Sequence, residues 1–119
     1  MDINQAITQI LCDTLDITPE EIHPESYLIR ELNAESIDLL ELAVNINNAL
    51  GITVNEDDLF LRKLRLFLES NPKIEPNRLL QEKYPFLSID RIQEILADID
   101  QGPVLKVKDL IHYVTCQVN

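Results

Sequence analysis

The chain has no tryptophan, one methionine, two glycines and two cysteines in 119 residues, and only 5% of it is aromatic. Each shortage excludes something. With Gly51 and Gly102 alone, there is no glycine-rich loop to cradle a phosphate and no nucleophile elbow. Cys12 and Cys116 make no disulfide framework, and each falls off the apolar face of its expected helix, so free thiols in a reducing cytoplasm are expected. Neither has a histidine partner to make it a nucleophile. His23, beside a loop proline, and His112 belong to no metal-spaced cluster, and both are expected at the surface. No apolar run reaches eighteen residues, so no membrane span is expected, nor is a signal peptide at the N-terminus. No stretch shows the period of two that a half-buried strand needs.

Positive charge is also scarce, and unevenly so. The net charge is −11. Residues 1–60 hold 13 acids against Arg30 alone, residues 61–104 hold seven acids and seven bases, and residues 105–119 hold Asp109 against Lys106 and Lys108. An acidic half of this kind repels nucleic acid and anionic membranes and suits protein partners with basic surfaces. A hydrophobic content of 45% argues against disorder, and the length suits one small domain with a single core.

What is present is helical. Asp2-Ile3-Asn4-Gln5 reads as a capped start, with Ile3, Ile7, Ile10, Leu11 and Leu15 following at helical spacing. Thr18-Pro19-Glu20-Glu21 gives one short turn that His23-Pro24 breaks. A long loop over residues 24–35 then leads to a helix of roughly four turns, with Ser36 at its N-terminal edge and Gly51 as its stop. Leu39, Leu42, Ala43, Ile46, Ala49 and Leu50 form its core-facing arc. Ile37, Leu40 and Val44 form a second apolar stripe, one more than a peripheral helix requires, and so ask for a partner.

After a short buried linker, Ile52-Thr53-Val54, Asn55 to Asp58 cap the next helix. Residues 59–68 carry seven large apolar side chains in ten positions, which demands burial on more than one side. Asn71-Pro72 ends that segment, Glu75 to Tyr84 is a short helix closed by Pro85, and Ser88 to Asp100 is another. On the last, Ile89, Ile92, Leu96 and Ile99 share one face. Val107, Leu110, Ile111, Val114 and Val118 give the final helix a core face.

Glu35-Ser36-Ile37-Asp38 matches the acidic-Ser-hydrophobic-Asp motif that opens the second helix of acyl carrier proteins, and the stretch resembles that family's prosthetic-group helix. Ser26-Tyr27-Leu28 through Glu31-Leu32 resembles the loop before it. Asn33 stands where the family usually has glycine and tolerates the left-handed backbone such a turn needs. Residues 107–114 resemble the final family helix, whereas 61–104 have no counterpart. The resemblance implies an all-α, acyl-carrier-type four-helix bundle in one domain, with residues 1–60 and 105–119 as carrier core and 61–104 as a helical insertion. It implies a non-catalytic carrier bearing acyl intermediates as thioesters on a covalent 4′-phosphopantetheine at Ser36, drawn from coenzyme A. Fatty-acid, lipid or related biosynthesis is the setting, in a cytoplasmic monomer.

Implied partners are a phosphopantetheinyl transferase and basic-surfaced enzymes that load and transfer acyl groups, docking on Glu35, Ile37, Asp38, Leu40, Glu41 and Val44. Asn45, Asn47 and Asn48 replace later acids common in the family, which points to a specialised carrier. The tripeptide Ser-Ile-Asp recurs at Ser88-Ile89-Asp90, where the flanking residues do not match and Ser88 reads as a plain helix cap. A reading from another class is a helical interaction module without a prosthetic group; exposure to the transferase and coenzyme A separates the two by mass. Two fates remain for 61–104: a self-contained lobe, or a wall that enlarges the apolar interior for a long acyl chain.

Overall fold

The computed structural model describes residues 2–118. Among them are seven α-helices: α1 Ile3–Leu15, α2 Ser36–Leu50, α3 Glu56–Leu59, α4 Leu64–Ser70, α5 Pro76–Lys83, α6 Ile89–Asp98 and α7 Val107–Val118. Single 3-10 turns lie at Pro19–Glu21 and Ile99–Gln101, and no strand forms among the described residues. The all-α expectation holds.

α1 opens on the side chain of Asp2, which accepts from the Gln5 N–H at 3.2 Å, and closes on Asp16 at φ 55°. Its Ile7, Ile10 and Leu11 are buried against α2 and α7. Cys12, expected off the apolar face, is half-buried and packs on the core edge, where burial raises its thiol pKa above the ordinary value. Cys116 is exposed, and both thiols are free.

In α2 the expected inward arc is correct for Leu39, Leu42, Ala43 and Ile46. It fails at the end: Leu50 is half-buried and Ala49 exposed, because the last turn runs out beside the open groove along α1. Gly51, at φ 64°, supplies the left-handed stop. Two asparagines here are structural. Asn45 Nδ2 donates to Thr14 Oγ1 at 3.0 Å and ties α2 to the end of α1, while Asn47 Oδ1 accepts from the Val54 N–H at 2.9 Å and fixes the linker. That linker is half-buried at Ile52 and Val54 and exposed at Thr53, rather than buried throughout.

The continuous apolar segment expected over residues 59–68 is broken. Helix α3 ends at Leu59, residues 60–63 turn, and Leu61 takes φ 54°. A left-handed leucine costs roughly 1–2 kcal/mol. The turn is held because it points Leu59, Phe60, Leu61 and Leu64 into one interior, which a straight helix with apolar residues all round could not do. The later helices cover this surface, with α4 on α5 and α5 on α6. Phe67, Tyr84, Phe86 and Tyr113 stack along the join, the first pair tilted and the other two edge to face, with successive centroids 5.9, 6.0 and 5.2 Å apart. The Tyr84 ring is fully buried and its hydroxyl unpartnered; burial, then Asp58 and Asp57, pushes that phenol up.

On α6 the inward face is Ile92 and Ile95, with Leu96 and Ile99 half-buried. Ile89, expected among them, is the first residue of the helix and is 56% exposed. Arg91 is buried instead. It donates through Nε and Nη2 to the two oxygens of Asp109, at 2.7 and 2.8 Å, and from Nη2 to the Val104 carbonyl at 2.7 Å. Asp109 also accepts from the Lys106 N–H at 2.9 Å, so the pair is satisfied as well as buried. On α7, Val107, Leu110, Tyr113 and Val114 face inward, Ile111 is half-buried and Val118, expected on that face, is exposed.

Candidate functional site

Residues 22–35 deliver the start of α2. Leu28 is fully buried, with its N–H on the Leu105 carbonyl at 3.1 Å and its own carbonyl accepting from Ala34 at 2.9 Å. Between these bonds the chain reverses, and Asn33 takes φ 59°, the left-handed geometry the sequence suggested. Tyr27 and Lys106 pair across the loop in an isolated antiparallel bridge. The loop end is therefore fixed from a segment seventy-odd residues away.

Ser36 is the first helical residue, not the cap. Glu35 occupies the cap position, and its N–H donates to Asp38 Oδ2 at 2.8 Å. The Asp38 carboxylate thus satisfies the cap residue's own N–H, the reciprocal half of a capping box, and with Glu35 rather than Ser36 at the cap the exposed serine side chain is left out of it. In the first turn the N–H groups of Ser36 and Ile37 have no helical acceptor to meet, so the helix presents partial positive charge beside the hydroxyl.

Around Ser36 the expected residues come together on one surface. Ile37, Leu40 and Val44 are 71%, 53% and 48% exposed, and Glu35 and Glu41 are exposed beside them. No other described residue covers the apolar stripe. α2 itself carries Asp38 and Glu41 and no base.

One feature was anticipated only in outline, as a possible wall built by 61–104. Beside Leu39 lies a cavity of about 360 Å³, lined by Ile29, Phe60, Leu61, Leu64 and residues 103–105, with Arg62, Arg65 and Gly102 also in its wall. Leu39 is one turn beyond Ser36, about 4.5 Å along the helix axis. The lining comes from four places in the chain, so only side-chain chemistry, not spacing, could have hinted at it.

Along residues 5–65 the sequence matches the family described as "Phosphopantetheine attachment site". Similar proteins include the acyl carrier proteins of Nitratidesulfovibrio vulgaris (strain DSM 19637 / Miyazaki F), Syntrophus aciditrophicus (strain SB) and Coprothermobacter proteolyticus (strain ATCC 35245 / DSM 5265 / OCM 4 / BT). The first is 34% identical over 58 residues, covering 49% of this chain and 76% of the relative. The second is 34% identical over 65 residues, covering 55% and 79%. The third is 37% identical over 57 residues, covering 48% and 70%. No solved structure matches. A phosphopantetheine-attachment region spanning just over half of an all-α chain defines a carrier rather than a catalyst. The chain belongs to the acyl carrier protein family.

Its prosthetic group is accordingly a covalent 4′-phosphopantetheine. The residues at the start of α2 fit such a group: an exposed hydroxyl, a cap supplied by another side chain, and free N–H groups at the end of a fifteen-residue helix. When bound, the group supplies a terminal thiol that holds acyl chains as thioesters. Interaction with a phosphopantetheinyl transferase and with biosynthetic enzymes follows from the family. No helix among the described residues is long and apolar enough to cross a membrane.

Proposed function

We propose that Ser36 is the attachment residue and that Glu35, Ile37, Asp38, Leu40, Glu41 and Val44 are the face on which partner enzymes dock. The observation that carries this reading is the division of labour at the helix start. Asp38 completes the capping box, Ser36 stands free, and an uncovered apolar stripe runs on from it between carboxylates. Partner enzymes would present a basic rim around an apolar contact. The carrier serves fatty-acid, lipid or a related thioester pathway, as a specialised member: two of the asparagines in the second half of α2 are committed to holding the fold, not to a partner.

In this reading residues 1–60 and 105–119 form the carrier core. Residues 61–104 are an addition that shapes the interior. Support comes from the packing of α7 on α1 and α3, and from Leu61, Leu64 and residues 102–105, which wall the cavity beside Leu39. Burial of a methylene is worth roughly 0.8 kcal/mol, so a few sheltered carbons favour a longer chain. Phe67, by contrast, is engaged in the aromatic stack with Tyr84 rather than in the lining.

The test is intact-protein and peptide mass spectrometry after treatment with a phosphopantetheinyl transferase and coenzyme A. One arm on Ser36, and none on the Ser36→Ala variant, is expected. Label on Ser88, or label surviving Ser36→Ala, overturns the assignment. For the interior, amide shifts of Phe60 and Leu64 should move on loading a long acyl chain; if they stay fixed, the cavity does not hold it.

A further inference from the structure

The loop that delivers Ser36 pivots on Tyr27. Its carbonyl accepts from the Glu31 and Leu32 N–H groups, at 3.1 and 3.0 Å, and its own N–H donates to Glu31 Oε1 at 3.0 Å. Those bonds close the reversal that ends at buried Ala34, just before the helix start. The Tyr27 side chain leaves this turn and is held from far along the chain. Its hydroxyl donates to Asp98 Oδ2 at 2.6 Å, while Arg30 Nη1 donates to Asp98 Oδ1 at 3.0 Å, so one carboxylate takes hold of two loop residues. The Arg30 guanidinium also lies over the Tyr27 ring, 4.2 Å from its centroid. Arg30 Nη2 donates to the Gly102 carbonyl at 3.0 Å, an oxygen that Arg65 shares at 2.8 Å. Gly102 takes φ 134°, and a Cβ there would sit 3.3 Å from Arg30 Nε, so glycine serves both the backbone and the close approach.

Tyr27 and Arg30 lie inside residues 5–65, the stretch that the attachment-site family matches, and Asp98 and Gly102 lie outside it. The Arg30 and Asp98 side chains are only 21% and 20% exposed, so their charge-assisted bond is sheltered from water. We propose that Asp98 is a positioning residue for loading of the carrier: through Tyr27 and Arg30 it fixes the loop and so holds Ser36 where transfer of the arm requires it. The inference rests on Ser36 bearing the arm. In that transfer the Ser36 oxygen bonds to the pantetheine-side phosphorus of coenzyme A. The bond from that phosphorus to the bridging oxygen breaks, adenosine bisphosphate leaves with its electron pair, and the hydroxyl proton passes to a base on the transferase. Such a displacement tolerates little error in the place of the attacking oxygen. Asp98 touches no reacting atom. Docking belongs to α2 and alignment to the loop, so the two separate in the kinetics.

The test uses the full chain with a phosphopantetheinyl transferase and coenzyme A. Peptide mass spectrometry of the parent first locates the arm; an arm elsewhere than Ser36 overturns the attachment reading and this inference with it, whereas the kinetics overturn this inference alone. With the carrier as the varied substrate, Asp98→Ala should lower kcat roughly tenfold and leave KM unchanged, because the docking face is intact. Asp98→Asn should keep most of the rate, since its amide still accepts from Arg30 and donates to the Tyr27 hydroxyl. Tyr27→Phe should slow transfer too, and add nothing to Asp98→Ala. In Asp98→Ala the Glu31, Leu32 and Ala34 amides should exchange faster, while those of α1 and α7 keep their protection. Ser88→Ala, which weakens a neighbouring helix but leaves the Asp98 contacts whole, should load at the parental rate. A parental kcat in Asp98→Ala, a change confined to KM, or equal slowing by Ser88→Ala overturns the proposal.

Discussion

Ser36-Ile37-Asp38 and Ser88-Ile89-Asp90 are the same tripeptide, each at the start of a helix, and the fold uses them in opposite ways. At the second, Ser88 is the cap, and its Oγ accepts from the Arg91 N–H at 3.0 Å. Arg91 then reaches inward to Asp109, so the turn is an anchor. At the first, the frame slips by one residue. Glu35 takes the cap position, Asp38 closes it, and the serine is left over. Both isoleucines are exposed, so hydrophobic burial does not separate the copies. What separates them is whether the hydroxyl is already spent on the backbone. A modifiable serine is one the helix does not need.

The largest effect should come from breaking the anchored side. Asp109→Ala leaves Arg91 charged and buried without its partner, and should remove about 3–5 kcal/mol, read by chemical denaturation. Nothing comparable should follow from any single change around Ser36. Next in size, Ser88→Ala should lose about 1 kcal/mol as a cap is removed, whereas Ser36→Ala should stay within about 0.5 kcal/mol of the parent while losing all modification. If the two alanine variants lose equal stability, the distinction between the copies falls.

Asp38 should behave differently from either serine, because it has both roles. Asp38→Asn should lose several tenths to about 1 kcal/mol of capping. Asp38→Lys and Glu41→Lys should also slow transfer of the arm, with the effect fading as salt shortens the screening length to about 8 Å near physiological strength. Glu94→Lys is a poor control, since Glu94 accepts from Lys108 at 2.9 Å; Glu69→Lys, on the exposed side of α4, is a better one. Equal slowing by Glu69→Lys would remove α2 as the docking face.

The smallest effect should be a pH dependence confined to the tied side. Glu25 accepts from Lys108 at 2.8 Å and Lys106 at 2.9 Å, bonds that lower its pKa from the ordinary 4.5 to about 2. A carboxylate with a depressed folded value contributes stability that is fully present above the unfolded pKa. That contribution is lost as pH falls through the folded one. Asp98, held by Arg30 and Tyr27, and Glu94, held by Lys108, are lowered in the same sense. Acid unfolding should therefore steepen between about pH 4.5 and 2, and Glu25→Gln should flatten part of that window. The Glu25 side chain is 65% exposed, so its share is small and salt-sensitive. An unchanged profile in Glu25→Gln would remove the contribution assigned to it.

Much of this was readable in advance because it depends on neighbours three or four residues apart. Asp2, Asn55, Glu75 and Ser88 cap where short-range chemistry places them, Gly51 and Asn33 supply the left-handed turns, and the stripe of Ile37, Leu40 and Val44 follows from helical periodicity alone. The errors have a common origin. Ile89, Ala49 and Val118 lie near helix ends, where the pattern still holds but the side chain is exposed. The break at Leu61 could not be read from residues 59–68, because it is the rest of the interior that makes a strained turn preferable to a straight helix.

By itself the sequence determined the helices, the motif around Ser36 and the acidic half that surrounds it, all of them properties of local spacing and composition. Only the tertiary structure decided which serine stays free, where Arg91 finds Asp109, and that Arg30 and Arg65 meet on the carbonyl of Gly102 beside an apolar cavity. Those pairings join residues up to 72 positions apart. No periodicity connects such residues; packing the apolar faces of the helices brings distant segments together, and where the meeting point is buried, as at Arg91 and Asp109, each charged group needs the other.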